Sequence, residues 1–299
     1  MNLRDLAYFV AVADHRHFGR AAEASHVSQP TLSGQIRKLE EELGVALFER
    51  DSRNVVPTSA SEPILTEARA ALAHVEAIRD IARAQRDPLA GRFRLGVIAS
   101  LGPYLAPDLL ARLEHDAPRL ELALVEDLTA PLLAALRARE IDAAVIATPA
   151  DGHDLSETAL FDEPFLIAHA PEHPLAAKRT VGLSDIEEGS LLLLAEGHCL
   201  RDQALSVCGA ASVDRRLTAA SLLTLIRLVA RGHGTTLVPA LASQSAEGVV
   251  LRDLTGEKPK RRIRLAARRN FPRRGALDLL AATAKSIAAA NGLETVNNR

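Results

Sequence analysis

Two cysteines, Cys199 and Cys208, are the only thiols in this chain of 299 residues, and the stretch between them is patterned to control whether they meet. Leu200, Ala204, Val207 and Ala211 recur at the i, i+4, i+7 and i+11 positions of a helix packed on a core. Nine residues of helix rise roughly 13 Å and end half a turn out of phase. A disulfide needs Cα atoms within about 7 Å. The thiols therefore bond only if the helix comes apart, which gives the run two incompatible states. Two inert buried thiols are the plainer reading, because unpaired cysteine is among the residues most often found inside proteins. The neighbours point to chemistry instead. Cys199 falls in the first helical turn, where unpaired N–H groups and the helix dipole favour a thiolate. His198 and Arg201 flank it as sources of positive charge that lower a thiol pKa.

The remaining composition narrows the setting. Apolar residues make up 47% and charged residues 25%, as in soluble globular proteins, and the net charge is −2. Arg4, Asp5 and Asp14 interrupt any apolar run at the start, and no segment reaches the roughly 18 apolar residues of a membrane helix. A cytoplasmic protein is expected, where cysteines are catalytic, metal-bound or sensing rather than structural. Two cysteines cannot close a four-thiolate zinc site, and His15, His17, His115, His153, His169, His173 and His233 show no metal-ligand spacing. No metal or cofactor is expected.

The elements that would connect such chemistry to an output lie in the first sixty residues. Leu6, Phe9, Val10 and Ala13 form one helical stripe, and 18–25 supply a short alanine-rich helix. After the turn at His26-Val27-Ser28, Leu32, Ile36, Leu39 and Leu43 mark a longer helix that Ser28 caps, Pro30 opens and Gly44 ends. This is a helix-turn-helix layout, with Gln29, Thr31, Ser33, Gln35 and Arg37 of types that reach base edges and phosphates. A hairpin from Leu47 to Thr58, turning at Ser52-Arg53-Asn54, would act as a wing carrying Arg50 and Arg53.

From Pro63 to about Arg86 the chain is alanine-rich without glycine, and Leu65, Leu72, Val75 and Ile78 share a face that wants a partner helix. Ser61 is expected to cap it. Beyond the break at Asp87-Pro88-Leu89-Ala90-Gly91, strands and helices alternate. Strands are expected at 92–98, 120–126 and 143–146, then at 165–169, 191–194, 235–238 and 261–266. Helices are expected at 107–116, 129–139, 221–231 and 277–291. Alternation of this kind predicts a doubly wound α/β domain of two lobes. Ligands in such domains sit at strand ends and helix N-termini, where Ser100 follows the first strand and Thr129 would cap the second helix. The basic residues Lys258, Lys260, Arg261, Arg262, Arg268, Arg269, Arg273 and Arg274 read as a solvated face rather than a second DNA patch.

Phe18-Gly19-Arg20-Ala21-Ala22, Val27-Ser28-Gln29-Pro30-Thr31-Leu32-Ser33, Ile36-Arg37-Lys38-Leu39-Glu40 and Leu43-Gly44-Val45 resemble the winged helix-turn-helix of the LysR-type transcriptional regulators. Gly197-His198-Cys199-Leu200-Arg201-Asp202-Gln203, Gly102-Pro103-Tyr104-Leu105 and Leu160-Phe161-Asp162-Glu163-Pro164 resemble the peroxide-sensing members of that family. The chain departs from them at Ser61-Glu62-Pro63, where a glycine is common, and at Ser100, where threonine is usual. The segment 209–218 is also about two residues short. The resemblance implies a winged helix-turn-helix over 1–60, a linker and dimerisation helix over 61–87, and a periplasmic-binding-protein-like regulatory domain over 88–299. Its first lobe would hold 88–163 and 267–299, its second 164–266. Gln29, Pro30, Thr31, Ser33 and Arg37 would read DNA, with Arg50 and Arg53 on the wing. Cys199 would be oxidised by hydrogen peroxide held by the Ser100 and Thr129 hydroxyls, then pair reversibly with Cys208. The implied partners are double-stranded DNA, RNA polymerase, thiol reductants and further copies in a tetramer of two dimers. Two other expectations compete: a family regulator driven by a small carboxylate between the lobes, and a thiol peroxidase, for which a DNA reader has no use.

Overall fold

The structure, a computed structural model, describes residues 1–50, 55–84, 87–187, 189–209, 213–256 and 258–296, with backbone alone at 50, 80–81, 83–84 and 214–216. It divides into two compact units, Met1–Ala82 and Arg83–Arg299.

The first unit is built on α1 (Leu3–His15), α2 (Phe18–Ala24) and α3 (Gln29–Leu43), followed by the antiparallel strands β1 (Phe48–Arg50) and β2 (Val55–Pro57) and by α4 (Ser61–Ala84). Asn2 and Asp5 form a reciprocal capping box at the start of α1. Ser28 accepts from the Thr31 N–H at the start of α3. Phe9, Val12, Leu32, Ile36, Leu39 and Leu47 are buried together. Val12, outside the expected α1 stripe, is buried, while Leu6 and Val10 are only half-buried. Ser61 does not cap α4 as expected. The Ser61 N–H donates to Thr58 Oγ1 at 3.2 Å and Ser61 Oγ donates to the Thr58 carbonyl at 2.9 Å. Ser61 is thus the first residue of α4 and is buried, with its N–H and hydroxyl both taken up by Thr58. Leu65 and Ala68 of α4 complete this core, whereas Ile78 further along is 66% exposed.

The second unit runs β3 (Gly91–Ile98), α5 (Gly102–Asp116), β4 (Leu120–Asp127), α6 (Thr129–Arg137), β5 (Ala143–Ile146), β6 (Leu155–His169), β7 (Thr180–Val181) and β8 (Leu191–Leu194). It continues through α7 (Cys199–Cys208), β9 (Val213–Ala219), α8 (Leu222–Ala230), β10 (Thr236–Pro239), β11 (Val250–Leu254), β12 (Lys260–Arg268), α9 (Arg274–Ala290) and β13 (Glu294–Thr295). One sheet has the order β4-β3-β5-β12-β6-β11-β7. Only β4-β3-β5 and β7-β11 are parallel within it; β12 and β6 run antiparallel to their neighbours. The sheet is therefore mixed rather than wholly doubly wound. The long β6 pairs with β12 in its first half and with β10 and β11 in its second, so it belongs to both lobes. Two apolar cores result, one around Phe93, Leu105 and Phe161, the other around Leu191, Ile226 and Leu237. Ile263, Leu265 and Ala266 of β12 pack in the first core. Helix α5 starts five residues before the expected Pro107, with Pro103 in its first turn, and β9 and β11 were not anticipated. Among the described residues, no helix is long and apolar enough to cross a membrane.

Gly234 fixes how the second lobe closes. Its φ is +145°, and a Cβ there would lie 2.2 Å from the Ser190 carbonyl oxygen, beside the bridge that joins Leu191 to Thr235. Gly234→Ala is expected to destabilise the second unit by about 2–4 kcal/mol, since backbone must shift. Gly189→Ala, with φ +72° and open space around it, should lose only about 1–2 kcal/mol. Urea unfolding of the two variants against wild type measures the difference, and equal losses would remove Gly234 from this role.

Candidate functional site

Helix α7 begins where Gly197 turns the chain with φ +89°, a conformation that leaves only 3.0 Å between an added Cβ and Leu128. His198 occupies the N-cap position without a side-chain cap bond, its carbonyl accepting from the Arg201 N–H at 2.9 Å. Asp202 places an acid in the first turn, where the dipole favours it. Cys199 is 8% exposed and packs in the first-lobe core, while Leu200 and Ala204 are buried in the second. The helix is thus wedged between the lobes. Gln203 holds it across the gap, Nε2 donating to the Ala147 carbonyl just past β5 at 3.0 Å.

Cys208 ends the helix against the second core. Burial pushes its thiol pKa from 9.0 up to about 11. Both cysteines are reduced, and the intact ten-residue helix keeps them roughly 13 Å apart along its axis. The flanking charges differ from expectation. Burial lowers the His198 pKa below its ordinary 6.5 despite a backbone hydrogen bond with Ala220, so the ring is neutral near pH 7 and supplies no positive charge. Arg201 Nη1 donates to the Leu194 carbonyl at 2.9 Å, fastening the first turn to the end of β8.

Ser100 and Thr129 each lie two residues beyond the paired strand ends Ile98 and Asp127, so the parallel β3–β4 register brings them to one edge of the first lobe. Gly197, packed against Leu128, brings the start of α7 to the same edge. Ser100 is 3% exposed. Its Oγ accepts from Arg261 Nη1 at 2.9 Å and its carbonyl from Nη2 at 3.3 Å. Thr129 does not cap α6 as expected: it is the first helical residue, after Leu128 at the N-cap. Among the described residues, Thr129 Oγ1 is buried without a hydrogen-bond partner, as is Gln203 Oε1.

Several residues at this site escaped the sequence reading. Arg261 Nε donates to Glu163 Oε2 at 2.8 Å with both side chains fully buried, and Glu163 Oε1 accepts from the Leu241 N–H at 2.8 Å. Tyr104 packs against both cores, its pKa raised mainly by burial. Arg261 lies in the basic run whose sequence reads as a solvated face, yet it is buried. Arg273 of the same run is also buried, donating to the carbonyls of Pro88, Ala90 and Arg92. Arg262 and Lys260 instead hold Asp162, whose carboxyl the Arg262 hydrogen bond draws down to about 2. Among the described residues, no three His, Cys, Asp or Glu side chains gather as metal ligands.

In the first unit, Gln29, Pro30, Thr31 and Arg37 are exposed on α3, and Ser33 is half-buried beside them. Ser28 Oγ and Thr31 Oγ1 share a 2.7 Å hydrogen bond. The side chain of Arg50, and all of Arg53 and the expected turn at its side, lie outside the described residues.

Residues 3–62 match the bacterial regulatory helix-turn-helix family of lysR type, and residues 86–288 match the LysR substrate binding domain. The chain is 44% identical over 288 residues to the hydrogen peroxide-inducible genes activator of Pectobacterium carotovorum, covering 95% of each. It is similar to a full-length OxyR variant from Pseudomonas aeruginosa, with TM-score 0.79 and 38% identity over 100% of this chain and 99% of that one. A Corynebacterium glutamicum OxyR cysteine variant with hydrogen peroxide bound gives 0.65 and 34%, covering 100% and 98%.

The burial of Cys208 predicts its reactivity. In the Cys199→Ser variant, alkylation of Cys208 by iodoacetamide should climb tenfold per pH unit up to about pH 11. In urea it should level off near pH 9, the ordinary range of a thiol. A native profile that levels off near 9 would contradict the buried setting.

Proposed function

The chain belongs to the LysR family of bacterial helix-turn-helix regulators, and on that premise we propose that it is a DNA-binding transcriptional regulator of the oxidative-stress response that senses hydrogen peroxide through Cys199. The observation that carries this reading is that Thr129 Oγ1, at the strand-end edge of the first lobe, and Gln203 Oε1, one turn along α7 from Cys199, are buried without a partner among the described residues. A small neutral molecule that both donates and accepts hydrogen bonds suits either atom. A carboxylate fits less well at the Ser100 hydroxyl, because Arg261 beside it is already neutralised by Glu163. The names of the relatives agree with peroxide.

The Cys199 thiolate attacks one peroxide oxygen; the O–O bond breaks, giving a sulfenic acid and hydroxide, which takes up a proton as water. The hydroxyls of Ser100 and Thr129 stabilise the oxygen on which charge develops. Cys208 then attacks the sulfenic sulfur, forming the disulfide and releasing water. This second step needs α7 to open, because the sulfurs start too far apart and the Cys208 thiol is held protonated by its apolar surroundings. Opening relieves both. A cytoplasmic dithiol reductant restores two thiols and is itself oxidised to a disulfide.

Loss of α7 repacks the regulatory unit and so alters how a tetramer, a dimer of dimers joined through α4, spaces its DNA readers. That change reaches RNA polymerase at the promoter. Gln29, Thr31, Ser33 and Arg37 contact the major groove, with Pro30 shaping the first turn of α3.

Peroxide titration of three proteins tests the switch. Cys208→Ser should lose one thiol and stop at the sulfenic acid, and Cys199→Ser should react slowly or not at all. Wild type should consume both thiols, lose helical circular dichroism and become cleavable between Leu200 and Val207. A disulfide formed with α7 intact, or no thiol loss, would sink the mechanism. Separately, Arg37→Ala should weaken operator binding by about 1–3 kcal/mol at fixed salt while leaving thiol oxidation unchanged.

A further inference from the structure

At the end of the first lobe opposite the cysteine, where β5 begins and β12 ends, lies a cavity of about 380 Å3 lined by Arg137, Arg139, His153, Asp154, Arg268 and Arg269. Four guanidinium groups thus face the single carboxylate of Asp154. Arg137 already engages that carboxylate at 2.9 Å. Arg268, only 14% exposed, spends one Nη on the Leu136 and Ile141 carbonyls and lies 3.7 Å from Asp142. Its pKa is lowered chiefly by burial, against the pull of Asp142, and further by the nearby charges of Arg139 and Arg94. Arg269 uses Nε on the His153 carbonyl.

Arg139 is the informative residue. It follows the end of α6 with φ +62°, the left-handed position that glycine normally fills after a helix. Its own guanidinium, half-buried in the cavity wall, has no hydrogen bond or ion pair among the described residues. The left-handed turn belongs to the cap of α6, where the Glu140 N–H donates back to the Ala135 carbonyl at 2.9 Å and Arg94 Nη2 donates to the Arg139 carbonyl at 2.9 Å. The unpaired, partly desolvated cation is unfavourable, and no contact among the described residues offsets it; an anion in the cavity would.

We propose that this cavity binds a compact phosphate-type oxyanion, free or on a small ester, through the planar donor forks of Arg139 and Arg269, with Arg268 behind them. The concavity favours a small anion over DNA, whose phosphates lie on a convex rail that exposed side chains meet. The site is independent of the thiol chemistry and stands whether or not Cys199 senses peroxide.

The test is calorimetric titration of the full-length reduced protein with inorganic phosphate, and separately with ADP, at constant ionic strength. Wild type should show a saturable site for phosphate, and a response to ADP as well would place a small ester in it. Arg139→Gly relaxes the backbone, so its melting temperature without ligand should match or exceed that of wild type; Arg269→Ala changes an exposed side chain. Each should weaken the site at least tenfold. Absence of saturable phosphate binding, affinity unchanged in both variants, or a loss confined to operator DNA would each overturn the proposal.

Discussion

The buried ion pair between Arg261 and Glu163 is the interaction on which the edge that carries Ser100 depends. Both side chains are inaccessible to water, on β12 and β6, the two strands that carry the chain between lobes. A charge so placed is tolerable only with its partner present; removing one typically costs about 3–5 kcal/mol. Here every oriented group is used. The guanidinium fixes the carboxylate and both oxygens of Ser100, and the carboxylate reaches on to the Leu241 N–H. The Ser100 segment, strands β6 and β12 and the turn after β10 are thereby tied at one point. The Ser100 hydroxyl inherits its position from that tie.

Helix α7 is held by weaker and more numerous contacts. Leu200 and Ala204 sit in the second core and Cys199 in the first, and Gln203 contributes one hydrogen bond across the gap. Extracting a leucine from a core costs about 1.5–3 kcal/mol, and a net hydrogen bond about 0.5–1.5. Such sums are within reach of local opening without unfolding either lobe. A helix with deeper anchoring would hold the thiols apart permanently; one with shallower anchoring would let them meet without a signal.

Local pattern made much of this legible. The stripe of α3, the Leu200 and Ala204 positions of the α7 stripe, the Ser28 cap and the strand-helix alternation are set within a few residues of sequence, and they appear where periodicity puts them, while Ala211 of the α7 stripe lies outside the described residues. What escaped depends on distant partners. Nothing near Arg261 or Arg273 distinguishes a buried guanidinium from a solvated one, because the carboxylate or carbonyls that satisfy it lie about a hundred or more residues away. Burial also decided His198, whose position beside Cys199 suggested a cation. Serine suits a cap, but the Ser61 hydroxyl turns back to donate to the Thr58 carbonyl instead. Strand β9 was missed because its sequence, with Asp214-Arg215-Arg216 inside it, lacks apolar alternation and is recruited by pairing with β8.

The hydrogen bonds at Ser100 also decide which way its proton points. A serine hydroxyl has one proton and two lone pairs. Arg261 has no acceptor, so its Nη1 must donate, and Ser100 Oγ uses a lone pair to receive it. The hydroxyl proton is then left to aim elsewhere, and the Ser100 carbonyl, already taken by Nη2, does not need it. Thr129 Oγ1, by contrast, has neither donor nor acceptor among the described residues and can turn either way. The edge thus offers one hydroxyl biased to donate and one free to do either. That pairing suits a molecule with a lone pair and a proton on adjacent oxygens. Serine stands where threonine is usual in the resembled sensors; the hydroxyl common to both residues is the group that Arg261 holds, and the missing methyl carries no hydrogen bond.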